Sequence, residues 1–112
     1  MMSTARMMML AVVAFSTSLQ IAKAEVPKDS TSLAISLGDI LASEEPCNLT
    51  YDQNAIMAFI EKNVREDDMD FSVLLKGMTE ASSLQIRGMS KSELALHCFQ
   101  NARVAHSYKF IK

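Results

Sequence analysis

Only two cysteines, Cys47 and Cys98, occur in this 112-residue chain, and the segment in front of them decides how they can be used. Arg6 precedes an apolar run from Met7 to Phe15, and Ala22-Lys23-Ala24 ends the stretch with small residues on either side of a variable one. A charged start, an apolar centre and a small-x-small end make a secretory signal peptide over residues 1–24, with cleavage expected between Ala24 and Glu25. A retained anchor would need about 20 predominantly apolar residues, and Ser16, Thr17, Ser18 and Gln20 break the run before that. The first cysteine is far from the cleavage point, which removes a lipid anchor. The expected destination is periplasmic or secreted, with no stable membrane anchor after cleavage, and in that setting disulfides form and persist.

Two cysteines allow one intramolecular bridge. Redox pairs usually sit as Cys-x-x-Cys, so the wide spacing points to a structural disulfide. Closing a loop of about 50 residues is worth roughly 4 kcal/mol by chain entropy, a large share of the roughly 5–15 kcal/mol that holds a small domain. The 88 residues from Glu25 to Lys112 carry 9 basic and 13 acidic side chains, a net charge of −4. That balance argues against nonspecific nucleic-acid or anionic-membrane binding, since cationic side chains drive both. Five of the nine methionines fall in the signal, so methionine richness is no property of the folded part.

Residues 25–46 read as a leader with a short helix: Leu33, Leu37, Ile40 and Leu41 recur at helical spacing, Leu33, Ile35 and Leu37 alternate like a strand, and Gly38 weakens both patterns. Residues 47–112 read as the helical domain. Thr50 and Gln53 form a capping box, placing a helix over Tyr51–Val64 with Ile56, Phe59, Ile60 and Val64 on one face. A second helix starts at Asp70, with Met69 and Leu74 as a hydrophobic staple, Phe71, Leu74, Leu75 and Met78 as its stripe, and Gly88 as its stop. Ser90 and Glu93 form another capping box and open a third helix from Lys91 to Tyr108. On it, Leu94, Cys98, Asn101 and Ala105 share a side with His97 and Tyr108 at the flank, while Leu96 and Phe99 point elsewhere. A helix apolar on two sides is usually covered on both, so this helix is expected at the centre with the leader as one cover. The fold class is all-α, a small bundle of three helices, or four with the leader, stapled by one disulfide.

Candidate chemistry is sparse. His97 and His106 emerge on opposite sides of one helix and cannot share a metal. His97 next to Cys98 is no nucleophilic pair, because helix neighbours project about 100° apart and the thiol is expected to be oxidised. Glu66, Asp67, Asp68 and Asp70 lack the alternating ligands and central glycine of an EF-hand loop and suit the positive end of the helix that follows. Asn48-Leu49-Thr50 matches a glycosylation acceptor. Phosphate loops, nucleophile elbows and His-Glu-x-x-His helices are missing from the sequence. No catalytic residue, cofactor or metal is expected, and the chain reads as non-enzymatic.

Cys-Asn-Leu-Thr-Tyr-Asp-Gln (47–53), Ala-Ile-x-x-Phe-Ile (55–60), Asp-Asp-Met-x-Phe (67–71), Ala-x-His-Cys (95–98) and Ser-Tyr-x-Phe-Ile (107–111) resemble a group of small exported two-cysteine proteins of plant-associated alpha-proteobacteria. The resemblance runs from about residue 40 to the end and implies export and a disulfide, with no mechanism attached. The architecture alone is similar to that of acid-stress periplasmic chaperones. The expectation is therefore an exported protein that binds another protein in the periplasm or in envelope or host-associated physiology. The alternative is an acid-activated periplasmic chaperone, loosened as carboxylates neutralise.

Overall fold

Four helices follow one another in the computed structural model, which describes residues 25–112: α1 (Ser30–Ala42), α2 (Gln53–Asn63), α3 (Phe71–Arg87) and α4 (Lys91–Ser107). No strand occurs among the described residues. The fold is all-α, and Cys47 and Cys98 are joined. The expected signal peptide, residues 1–24, lies outside the described residues. Among the described residues, no helix is long and apolar enough to cross a membrane.

The expected leader is the middle of the bundle. Asp29 caps α1 by accepting from the Ser32 amide at 2.9 Å, and the 13-residue helix buries Leu33, Ala34, Leu37, Gly38, Ile40 and Ala42. Its most extensive packing is along α3, with a smaller contact to α4. This corrects the expectation that the Cys98 helix is central and that the folded unit begins at Cys47. The reason lies in Gly38. A Cβ there would stand 2.9 Å from both Met78 Cβ and the Thr79 backbone nitrogen of α3, closer than real side-chain carbons come. Glycine inside a helix costs about 0.5–1 kcal/mol in chain entropy. Read locally it looks like a defect, whereas in the bundle it lets two helix backbones meet.

The start of α2 also differs from the sequence reading. Asp52, not Thr50, is the cap, accepting from the Asn54 and Ala55 amides at 2.9 and 3.3 Å. Tyr51 is released from the helix and buried at 4 % exposure. Ile56 is buried, while Phe59, Ile60 and Val64 pack half-buried against the core, as the stripe predicts. In α3, Phe71 is buried and Leu74, Leu75 and Met78 lean on the core, and Gly88 follows the last turn. The expected staple is not formed, because Met69 is 80 % exposed, and the Asp70 side chain makes no capping hydrogen bond.

α4 begins where its capping box places it. The Glu93 amide donates to Ser90 Oγ at 3.2 Å, and the Ser90 hydroxyl in turn donates to Glu93 Oε1. The helix ends in a Schellman motif: the Lys109 amide bonds the His106 carbonyl and the Phe110 amide bonds the Ala105 carbonyl. Lys109 takes the left-handed conformation this needs, with φ 65°. The turn drives Phe110 to zero exposure, edge-on to Phe59 at 5.4 Å and tilted against Tyr51 at 6.0 Å. Phe59 also stacks on Tyr108 at 4.8 Å. A main-chain bond from the Asp52 amide to the Phe110 carbonyl, 2.7 Å long, ties the chain's end to the start of α2.

Candidate functional site

α4 has two faces of opposite character. Its inner face carries three links within little more than one turn: His97, Cys98 and Asn101. Cys98 is bonded to Cys47, with Cα atoms 5.3 Å apart, inside the usual disulfide span. His97 Nε2 lies 2.7 Å from Ser43 Oγ. Asn101 Nδ2 donates to Tyr51 Oη at 2.8 Å, and that hydroxyl donates to the Ile40 carbonyl at 2.8 Å. The Ser43 hydroxyl thereby donates to the Asp39 carbonyl near the end of α1, and the Tyr51 hydroxyl adds a second donor to the Ile40 carbonyl, which also accepts from the Ser43 amide.

The proton positions in this seam follow from geometry. Ser43 Oγ sits 2.6 Å from the Asp39 carbonyl oxygen. A carbonyl cannot donate, so the serine proton lies there, and His97 must donate its Nε2 hydrogen to Ser43. The serine is fully buried and accepts a hydrogen bond from the imidazole instead of donating one to it, the reverse of a nucleophile and its base. Burial pushes the Tyr51 phenol above its ordinary range, opposed by the Asn101 hydrogen bond and reinforced by the nearby Glu44 and Asp39 carboxylates. It stays a neutral donor. The Glu44 carboxylate also accepts from the Tyr51 amide at 2.6 Å. Among the described residues every buried side-chain nitrogen or oxygen has a partner.

The outer face is apolar and uncovered. Leu96 and Phe99 are 61 % and 63 % exposed, and the Arg103 guanidinium lies 5.8 Å from the centre of the Phe99 ring. Successive residues turn by about 100°, which puts these three within one narrow sector, with His106 beside them and exposed. The expectation that α4 would be covered on both sides is corrected here: the disulfide commits Cys98 to the inside, and α1 covers only that side.

Other residues singled out by sequence fall as follows. His97 is half-buried and His106 exposed, on opposite sides. The groove beside His97, about 300 Å3, is bordered by Glu25, Asp39, Gln100 and Asn101, yet no group of three metal-ligating side chains converges among the described residues. Of the acidic run, Asp67 pairs with Arg65 through two bonds of 3.0 and 2.9 Å, and Asp68 accepts from the Ser30 hydroxyl at 2.6 Å. Asn48 is exposed, with φ 55°. Ser43 and Tyr51 carried no local signal for their roles. Asn101 did, since an amide within an apolar stripe needs a buried partner. No family model, curated protein or solved structure matches the chain.

Proposed function

We propose that this is an exported, non-enzymatic protein that works by binding another protein, with the outer face of α4 as its contact surface. The observation that carries the reading is the pair Leu96 and Phe99, held out to solvent on a helix whose opposite side is fixed by a disulfide and two hydrogen bonds. A rigid aromatic anchor beside an arginine is the composition of an interface hot spot, and little ordering entropy remains to be lost on binding. The signal-like start supports export, and a disulfide fits a non-cytoplasmic compartment. A photo-crosslinking residue at position 99 in cells exporting the protein should give a protein adduct that the same residue at exposed Lys76 does not. Equal or absent adducts at both positions would refute the assignment of this face.

An acid-activated chaperone is the second reading, and the carboxylate caps favour it. Asp29 and Asp52 hold the first amides of α1 and α2, and Glu44 holds the Tyr51 amide. Protonating Asp29, whose carboxyl the Ser32 hydrogen bonds hold below its ordinary value, loosens the start of α1. Suppression of client aggregation at about pH 3, where carboxylates protonate, and not at pH 7 would favour this reading over the first.

A further inference from the structure

We infer that the outer face of α4 receives the α2–α3 corner of a second copy of this chain, in a head-to-tail contact; this rests on the reading of that face as a protein-binding surface. The charge along the chain is divided. Residues 91–112 hold Lys91, Arg103, Lys109 and Lys112 against Glu93 alone, whereas residues 25–90 hold twelve acidic and five basic side chains. The cationic portion carries the uncovered Leu96–Phe99 patch with Arg103 lying on it, and Lys91 stands two turns before Phe99 on the adjoining flank.

The opposite arrangement exists at the corner between α2 and α3. Met69, the most exposed large apolar side chain described, projects from among Glu66, Asp67, Asp68 and Asp70. Its turn is fixed: the Asp68 amide bonds the Arg65 carbonyl, the Met69 amide bonds the Asp67 carbonyl, and Asp68 is tied to Ser30. Arg65 neutralises Asp67, which leaves Glu66, Asp68 and Asp70 without a salt-bridge partner among the described residues. A flexible thioether ringed by carboxylates suits an aromatic patch edged by cations, because sulfur packs favourably on aromatic rings and the charges steer the approach. Two α4 faces pressed together would instead bring two Arg103-bearing patches together, with no acidic partner in either. Corner and face are different patches, so after a contact forms one copy still has its corner free and the other its face, and association continues past the dimer.

Sedimentation of the purified protein over about 10–500 µM, the range of weak contacts, tests this at about 20 mM and about 500 mM salt, which screen charges very differently. The expected result is an average mass rising beyond a dimer at low salt and falling to the monomer at high salt. Phe99→Glu and Met69→Lys should each be monomeric with unchanged helical circular dichroism, since both positions are exposed. Their equimolar mixture should form a one-to-one heterodimer and nothing larger, because one intact corner then meets one intact face. A wild-type monomer throughout, dissociation by Phe99→Glu alone, or a mixture that stays monomeric would each overturn the proposal. A monomer that still gives the position-99 adduct to a different protein loses the self-contact and keeps the protein-binding reading; a monomer with no adduct loses both.

Discussion

Against α3, α1 lays down a glycine at the crossing and apolar side chains around it, with Met78 Cβ and the Thr79 nitrogen close enough to exclude any Cβ at position 38. Against α4, it offers the carbonyls of Asp39 and Ile40, reached through Ser43 and Tyr51 by His97 and Asn101, with the disulfide alongside. The first seam depends on shape, the second on a covalent bond and directional hydrogen bonds. Apolar burial scales with area and tolerates small shifts, whereas hydrogen bonds and a disulfide fix one register. The α4 seam is thus the one that sets orientation, and the helix it orients is the one with an open outer face.

Removing the disulfide should separate the two seams most. Replacing Cys47 and Cys98 together by Ser is expected to cost about 4 kcal/mol, the chain entropy returned to the unfolded state by a loop of 51 residues. Denaturant melts measure the loss. In hydrogen exchange on the reduced protein, α4 amides should lose protection before those of α1 and α3; uniform loss would mean the seams are not independent.

Gly38→Ala probes the other seam. Overpacking typically costs about 1–3 kcal/mol and alanine returns up to about 1 kcal/mol of helix propensity, so a net loss of about 1–2 kcal/mol is expected. Truncating Met78 to Gly in the same chain should not restore stability, because the second obstacle is the Thr79 backbone. Full rescue would show that the helices can move apart freely.

Asn101→Ala deletes one donor from the polar seam while Tyr51 keeps its bond to the Ile40 carbonyl. The expected loss is about 1 kcal/mol, the net worth of a single hydrogen bond. Additivity with the cysteine double variant, measured by a double-mutant cycle, would indicate separate links; strong coupling would indicate that the disulfide positions Asn101.

The smallest expected effect is the acid response of the α1 cap. The hydrogen bond from the Ser32 amide, followed by that from its hydroxyl, holds the Asp29 carboxyl below its ordinary value. A depressed folded value means that this contribution is present above the unfolded pKa, near 3.9, and disappears as pH falls through the folded one. Asn caps almost as well and does not titrate, so wild type and Asp29→Asn should converge in stability as the pH is lowered through that window. A constant difference down to acid pH would remove Asp29 from the acid response.

The all-α class, the span of α4 and the pairing of the cysteines were legible in residue patterns, while those patterns allow three helices or four. Ser90 and Glu93 open α4 where a capping box should, the Leu94–Ala105 stripe turns inward as its period demands, and two cysteines have one way to pair. At α2 the capping box at Thr50 is not the cap the structure uses; Asp52 takes that place because burying Tyr51 gives its hydroxyl both Ile40 and Asn101 as partners. That gain is nonlocal, so no local pattern announces it. Met69 was misassigned for a related reason: a staple presumes that the chain enters a helix in a fixed direction, and here Ser30 and Arg65 hold Asp68 and Asp67 and turn the corner outward.

The sequence by itself determined the short-range features of this protein, those governed by spacing and by the chemistry of neighbouring residues: helical periods, the capping box that opens α4, the acidic balance and the single possible bridge. Tertiary structure alone decided which helix is central and which apolar face stays in water. Gly38 shows why, since its cost is a property of one residue while its use is a property of two backbones separated by some forty positions in sequence. Leu96 and Phe99 show the same from the outside: their apolar character is written in the chain, but their exposure depends on where Cys47, Ser43 and Tyr51 hold α4.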